Sequence, residues 1–209
     1  MSPPRPIGLL LAAGQGRRMG GSNKQLLPWP PDSTQTMIEA SFDCIAPCCE
    51  AMFVVLGHQA SAVAGALAPR IYIPVTGSAE APMFDSLSAG LRAIVASASD
   101  APILLHLADC PAVSQETIRH ILQAGQENRT RAVVPRCDGR GGHPVLIPPE
   151  MVEQILVADG TDGLRGFWRA EPSRRCYIDV QDAAVGMDAD TQACYQDLER
   201  FRKSSPRRP

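Results

Sequence analysis

The sequence predicts an α/β fold, a three-layer α/β/α sandwich around a mostly parallel sheet, and three observations point to it. Short apolar runs without polar alternation recur along the chain, as expected of strands covered on both faces. Helix-length amphipathic segments lie between most of them, which is the signature of βαβ units. A glycine-rich loop directly follows the first run, at the end of the strand where such sheets collect their ligands.

The first strand is expected from Pro6 to Ala13, where Ile7-Gly8-Leu9-Leu10-Leu11-Ala12 leaves no room for an exposed face. Further strands are expected at Ala51 to Leu56, Arg70 to Pro74, Pro102 to Ala108 and Arg131 to Pro135. Helices fit Thr36 to Ile45, Ala60 to Leu67, Asp85 to Ala96, Ser114 to Gln126, Pro149 to Val157 and Thr191 to Lys203. Ser114 reads as an N-cap, with Gln115 and Glu116 in the first turn. The chain is expected to form one domain over residues 1–203, with a polar, disordered tail over 204–209.

Composition narrows the function. With 209 residues, 44% hydrophobic and 20% charged, the chain can build a single sizeable core. A net charge of -2 gives no surface for nucleic acid, which needs basic residues in excess. No stretch reaches the roughly 18 apolar residues of a membrane span. Met1-Ser2-Pro3-Pro4-Arg5-Pro6 lacks the layout of a signal peptide, so a cytoplasmic protein is expected. The seven cysteines show no C-x-x-C spacing. Reduced thiols are expected, with Cys44, Cys48 and Cys49 serving as small apolar residues near a helix end rather than as a metal cluster.

From Ala13 to Lys24 the loop carries four glycines and three cations in twelve residues. Glycines let backbone N–H groups turn toward an anion, and Arg18 and Lys24 can neutralise a triphosphate. No G-x-x-x-x-G-K-[ST] is present, so this is not a P-loop. A dinucleotide fingerprint is disfavoured as well, because Met19 stands where its third glycine would be. Asp109 follows the apolar strand Ile103-Leu104-Leu105-His106-Leu107. A carboxylate emerging there suits Mg²⁺, which takes one or two carboxylates plus phosphate oxygens and water. Capping of the following helix is the alternative for Asp109, as it is for Asp188 and Asp190 ahead of the last helix.

Leu11-Ala12-Ala13-Gly14-Gln15-Gly16-Arg17-Arg18-Met19-Gly20, followed by Lys24-Gln25-Leu26-Leu27-Pro28, resembles the signature L-A-A-G-x-G-x-R-M-G-x-x-x-K-x-L-L-P. That signature belongs to the molybdenum-cofactor-type nucleotidyltransferases, among which the chain looks most like the molybdenum cofactor cytidylyltransferases. Six further landmarks follow in the family's order: Val54-Val55-Leu56-Gly57-His58, Ser86-Leu87-Ser88-Ala89-Gly90-Leu91, Leu107-Ala108-Asp109-Cys110-Pro111, Gly142-His143-Pro144-Val145, Gly160-Thr161-Asp162-Gly163-Leu164-Arg165 and Asp188-Ala189-Asp190-Thr191. The chain departs from the pattern at Ala108, Cys110, Gly141 and Thr161, and at Gln192, Ala193 and Cys194 after the last landmark. Most of these changes fall on the side of the second substrate.

The resemblance implies a Rossmann-like fold of the nucleotide-diphospho-sugar transferase type. It also implies transfer of NMP from an NTP, with Mg²⁺, to a phosphorylated acceptor such as molybdopterin, with release of pyrophosphate. Carried onto this chain, it puts nucleotide contacts at Leu11, Ala12, Ala13, Gly14, Gly16, Arg18, Lys24, Gly57 and Ser86, and metal at Asp109 and Asp190. Arg18, Lys24 and Asp109 are the expected catalytic residues, with Arg18 and the Gly14 and Gly16 amides on pyrophosphate and Lys24 on the α-phosphate. His143 and Arg165 are expected at the acceptor, although a structural histidine and a solvated cation are equal readings. Gly57 and Ser86 also read as a turn and a cap. Ala13, where guanylyl-transferring relatives tend to have glycine, favours CTP. A cytidylyltransferase for a sugar or polyol phosphate is the second reading, since Lys24-Gln25 also resembles the methylerythritol-phosphate enzymes. A non-catalytic nucleotide-binding partner of a molybdoenzyme is the third.

Overall fold

The computed structural model describes residues 4–14 and 23–204. Its centre is an eight-stranded sheet in the order β3-β2-β1-β4-β7-β5-β6, with β8 also pairing β5. The first four strands are β1 (Ile7–Ala12), β2 (Ala51–Leu56), β3 (Ile73–Thr76) and β4 (Ile103–Leu107). They run parallel, with Leu9 opposite Phe53 on one side and Leu105 on the other. Then come β5 (Ala132–Cys137), β6 (Arg140–Gly141), β7 (Val145–Ile147) and β8 (Arg175–Asp179). β7 is antiparallel to both β4 and β5, and β8 is parallel to β5.

Alternation along β1 divides the core. Leu10 and Ala12 face one cluster with Ile38 and Phe42 of α1 (Met37–Ile45), Val63 of α2 (Ala60–Ala66), and Ile118 and Ile121 of α4 (Gln115–Glu127). Leu9 and Leu11 face the other, with Leu87, Leu91 and Ile94 of α3 (Met83–Ala96), Met151 and Ile155 of α5 (Pro149–Val157), and Phe167 and Trp168 of α6 (Gly163–Ala170). The three expected layers are therefore present. Each large side chain buried on both β1 faces contributes about 1.5–3 kcal/mol. The seventh helix, α7 (Gln192–Ser204), packs Tyr195 and Leu198 against Trp29 and Met37.

Local chemistry accounts for the helix starts. Thr36 caps α1 in a reciprocal box with Glu39, whose carboxylate accepts the Thr36 N–H at 2.6 Å. Ser114 caps α4 by accepting the Thr117 N–H at 3.2 Å. The buried Asp182 carboxylate reinforces that start, taking the Ser114 N–H at 2.9 Å and the Thr117 hydroxyl at 2.7 Å.

Five elements differ from the sequence reading, among them the two-residue β6, which was not expected. The strand expected at Arg70 to Pro74 forms at Ile73–Thr76 instead. Arg70 is held by ion pairs to Glu39 and Asp43 of α1, and pairing begins only where Ile73 meets Phe53. Pro74 is tolerated because β3 lies at the sheet edge. α6, β7 and β8 were not expected as elements. β7 is three residues long, and β8 is an edge strand whose half-exposed residues dilute any alternation. The α6 signal was present in Leu164, Phe167 and Trp168 at helical spacing, after a turn in which Gly160, Asp162 and Gly163 take positive φ. Helix α7 ends at Ser204, and the expected tail beyond it lies outside the described residues.

Candidate active site

Between β1 and β4 the strand order reverses, and the loops leaving their carboxyl ends open a crevice. A cavity of about 120 Å³ lies there, lined among others by Leu11, Ala13, Gly14, Lys24, Ser86 and Asp109. Those six are among the expected site residues. Ser78 and Ala81, on the approach to α3, and Met83, its first residue, also line the cavity and were not expected. Their only sequence signal was position, a loop following a parallel strand.

Three charged groups far apart in sequence meet in this crevice. Lys24 Nζ donates to Asp109 Oδ2 at 2.5 Å and to Asp190 Oδ1 at 2.6 Å, across 85 and 166 residues of chain. Lys24 stands in a short 3-10 helix, Lys24–Leu26, whose start is capped by the Asn23 side chain accepting the Gln25 N–H at 3.1 Å. Asp109 emerges two residues after β4, where the Ala108 N–H still donates to Leu11 O at 3.1 Å. Asp190 is brought over by the Ala189 N–H, which donates to Asp109 O at 3.2 Å. Tyr195 fastens α7 to the lysine segment through its hydroxyl, which donates to Pro28 O at 2.6 Å, and through an edge-on contact with Trp29.

The capping alternatives for the acids go to other residues. Ser114, not Asp109, caps α4, and the Thr191 hydroxyl accepts the Cys194 N–H at the start of α7. Burial alone would lower the pKa of Lys24, but the charges and hydrogen bonds of Asp109 and Asp190 outweigh it and hold the ammonium above its ordinary 10.5. Burial, followed by the charges of Asp109 and Asp190, raises the Asp188 carboxyl. Asp188 accepts the Asp190 N–H at 3.2 Å, so it shapes the turn that presents Asp190. Cys110 is buried, and burial pushes its thiol well above the ordinary range, so it acts as a small apolar neighbour of Asp109.

The other expected residues divide. Gly57 abuts the loop after β1, and a side chain there would meet Ala13 O at 2.7 Å and the Ala13 methyl at 2.8 Å. That close approach requires glycine. Ala12 is buried on the opposite face and supports the loop from behind. Ser86 lies inside the first turns of α3 and is not its cap. His143 follows Gly142 and precedes a cis Pro144, and its N–H donates to Val185 O at 2.8 Å. Burial lowers its pKa, which also responds to the charges of Asp109 and Arg165. Arg165 itself is exposed on α6. The structure thus gathers Lys24, Asp109 and Asp190 into direct contact, while His143 feels the charges of both Asp109 and Arg165. Gly16 and Arg18 lie outside the described residues.

Among the described residues no three His, Cys, Asp or Glu side chains form a closed metal cage. Two carboxylates facing one cation-sized gap nevertheless fit a hard divalent ion that completes its shell with phosphate oxygens and water.

The chain is similar to several known proteins. The chain is 31% identical over 200 residues to a nicotine blue oxidoreductase of Paenarthrobacter nicotinovorans, spanning 90% of this chain and 93% of that protein. It is 30% identical over 155 residues to a molybdenum cofactor guanylyltransferase of Pseudomonas aeruginosa, spanning 73% of each. Its structure superposes on that of Mycobacterium tuberculosis H37Rv Rv0371c in complex with manganese with a TM-score of 0.70 and 27% identity, covering 94% of this chain and 98% of that one. Residues 8–175 match the MobA-like NTP transferase domain, and the chain belongs to that family.

Proposed function

We propose that the chain transfers the NMP group of a nucleoside triphosphate, CTP in the first place, to a phosphorylated small-molecule acceptor of molybdopterin type, releasing pyrophosphate. The observation that carries this reading is the convergence of Lys24, Asp109 and Asp190 at the mouth of the crevice beside Gly14. A phosphate oxygen of the acceptor attacks the α-phosphorus in line, the bond to the β-phosphate oxygen breaks, and pyrophosphate leaves. The acceptor oxygen is already an anion, so the protein needs no nucleophile of its own; its task is to position the reactants and neutralise charge. Asp109 and Asp190 would hold Mg²⁺, which supplies Lewis-acid charge neutralisation on the phosphates. Lys24 offers its ammonium to the α-phosphate, while Arg18 and the amides of Gly14 and Gly16 hold the departing pyrophosphate. His143 and Arg165 stand on the side from which the acceptor would approach.

CTP is preferred because the Ala13 methyl takes up space against Gly57 at the cavity wall. The guanylyl-transferring relative makes GTP the rival. A second reading rests on the 31% identical oxidoreductase, whose name shows that a close relative of this chain does redox chemistry. A sugar or polyol phosphate as acceptor, or a non-catalytic role beside a molybdoenzyme, would leave the nucleotide half of the site unchanged.

One panel separates these readings. Pyrophosphate release is measured from CTP, GTP, ATP and UTP, each with molybdopterin-type acceptors, with sugar phosphates and with none. Oxidation of NADH and NADPH is followed in parallel with nicotine blue as the electron acceptor. Release from CTP that depends on the molybdopterin-type acceptor is the expected result. NADH or NADPH oxidation without pyrophosphate release from any NTP would overturn the proposal in favour of the redox reading.

A further inference from the structure

Lys24 stands where the metal is expected. Its ammonium lies 2.5 Å from one carboxylate and 2.6 Å from the other. Mg²⁺ bound to the same two groups would need oxygens at about 2.0–2.1 Å. A lysine ammonium and a divalent ion cannot share that gap, because both need the same oxygen lone pairs and two cations so close in a partly buried site repel strongly.

The partners differ in how firmly they are held. Asp109 is fixed by the turn that closes β4, and Asp190 by the Ala189 to Asp109 backbone bond and by its own N–H to Asp188. Lys24 is anchored only at its backbone, in a capped 3-10 helix, and its four-carbon stem can turn without disturbing the fold. The Lys24 and Asp109 side chains are 11% and 12% exposed, so a displaced ammonium needs a new anion nearby. Asp190, at 39%, leaves the gap open to an ion arriving from solvent. The cavity containing Lys24 also contains Gly14, the start of the phosphate loop.

We infer that Lys24 is an internal competitor for the divalent metal. In the nucleotide-free protein it closes the Asp109 and Asp190 pair, and it releases that pair when a triphosphate offers its ammonium a phosphate oxygen. This inference rests on the reading that Asp109 and Asp190 hold the metal. Metal alone then binds weakly, because the competent state is scarce, and nucleotide and metal each strengthen the binding of the other. The device keeps a divalent ion out of the site until its substrate is present.

The experiment reads binding and not turnover. Free Mn²⁺ is counted by electron paramagnetic resonance during titration of nucleotide-free protein. Lys24→Met removes the charge and keeps most of the stem. The variant should bind Mn²⁺ about ten- to a hundredfold more tightly than the parent, the gain expected if the lysine closes the site 90–99% of the time. Adding Asp109→Asn should abolish that gain. Equal affinity of the parent and Lys24→Met, or a gain that survives Asp109→Asn, would overturn the inference. If Lys24→Met does not fold, the parent decides the matter through its two lysines, Lys24 and Lys203. With ¹³Cε-labelled lysine, Mg²⁺ titrated to saturation without nucleotide should move the Lys24 signal and leave Lys203 in place, whereas a stationary Lys24 signal overturns the exchange. A protein that behaves as expected here but releases pyrophosphate from no NTP keeps the exchange and loses the transfer reading.

Discussion

The two flanks of the crevice are built differently. On the β1 and β4 flank, Lys24, Asp109 and Asp190 touch one another and are tied down by backbone bonds and by the clamp of Tyr195 on Pro28. On the β7 and α6 flank, His143 is partly buried with an Nδ1 that is sealed from solvent and has no hydrogen-bond partner, and Arg165 is exposed. On the proposed reading the first flank meets a triphosphate, whose charge pattern is the same in every NTP, so it can be served by charges carried on an anchored backbone. On the same reading the second meets the acceptor, and the chain departs from the family pattern at Gly141 and Thr161, shortly before His143 and Arg165 in sequence. Charge on an anchored backbone would then serve the shared half of the chemistry, and the exposed Arg165 the variable half.

If that contrast is right, damage to the first flank should be severe. Asp109→Asn should keep the fold and lower metal-dependent turnover by at least about 10²-fold, because an amide offers a divalent ion a neutral oxygen. Thermal melting together with pyrophosphate release across a Mg²⁺ titration checks this, and unchanged turnover would remove Asp109 from the metal site. Lys24→Ala should cost on the order of 10² in kcat while ground-state CTP binding weakens less, since the charge it meets redistributes during transfer. Direct CTP binding beside steady-state kinetics separates the two quantities. Collapsed binding with preserved kcat would make Lys24 a simple binding residue.

Gly57→Ala tests whether the loop's position matters. Its methyl would meet Ala13 O at 2.7 Å, and the displaced loop should lose about ten- to a hundredfold in kcat/KM for the NTP with little change in acceptor KM. An equal loss for both substrates would blur the division between the flanks.

His106, behind Asp109 on β4, is fully buried and donates to Cys110 O at 3.0 Å, and burial pushes its pKa down to about 3. The unfolded chain therefore binds a proton between the ordinary 6.5 and about 3 that the folded chain refuses. Stability from this site is present above pH 6.5 and is lost as pH falls toward 3, at up to about 1.4 kcal/mol per pH unit. His106→Gln should flatten that part of a urea-unfolding pH profile, and an unchanged slope would show that other groups govern the acid limb. The smallest effect is expected at Arg165→Ala, within about 0.5 kcal/mol of parent stability and with NTP kinetics unaltered. A rise confined to acceptor KM would place Arg165 at the acceptor, and no change at all would leave it a solvated cation.

The sequence by itself determined the β1, β2 and β4 strands and the helices between them. These follow from local rules: an unbroken apolar run such as Leu9-Leu10-Leu11 has no exposed face to offer, and Thr36 with Glu39 closes a helix start within four residues. It also put Asp109 at a strand end. The resemblance favoured Asp190 over Asp188 for the metal, but the tertiary structure alone decided that Asp190 partners Lys24, through the turn whose Asp190 N–H to Asp188 bond aims it at the ammonium. The tertiary structure likewise decided that the three-residue β7 would sit antiparallel between β4 and β5, because β propensity favours a strand at Val145-Leu146-Ile147 without choosing its neighbours or direction. Side-chain pairing across 166 residues depends on where the chain returns, and the residues nearest in sequence carry no record of that.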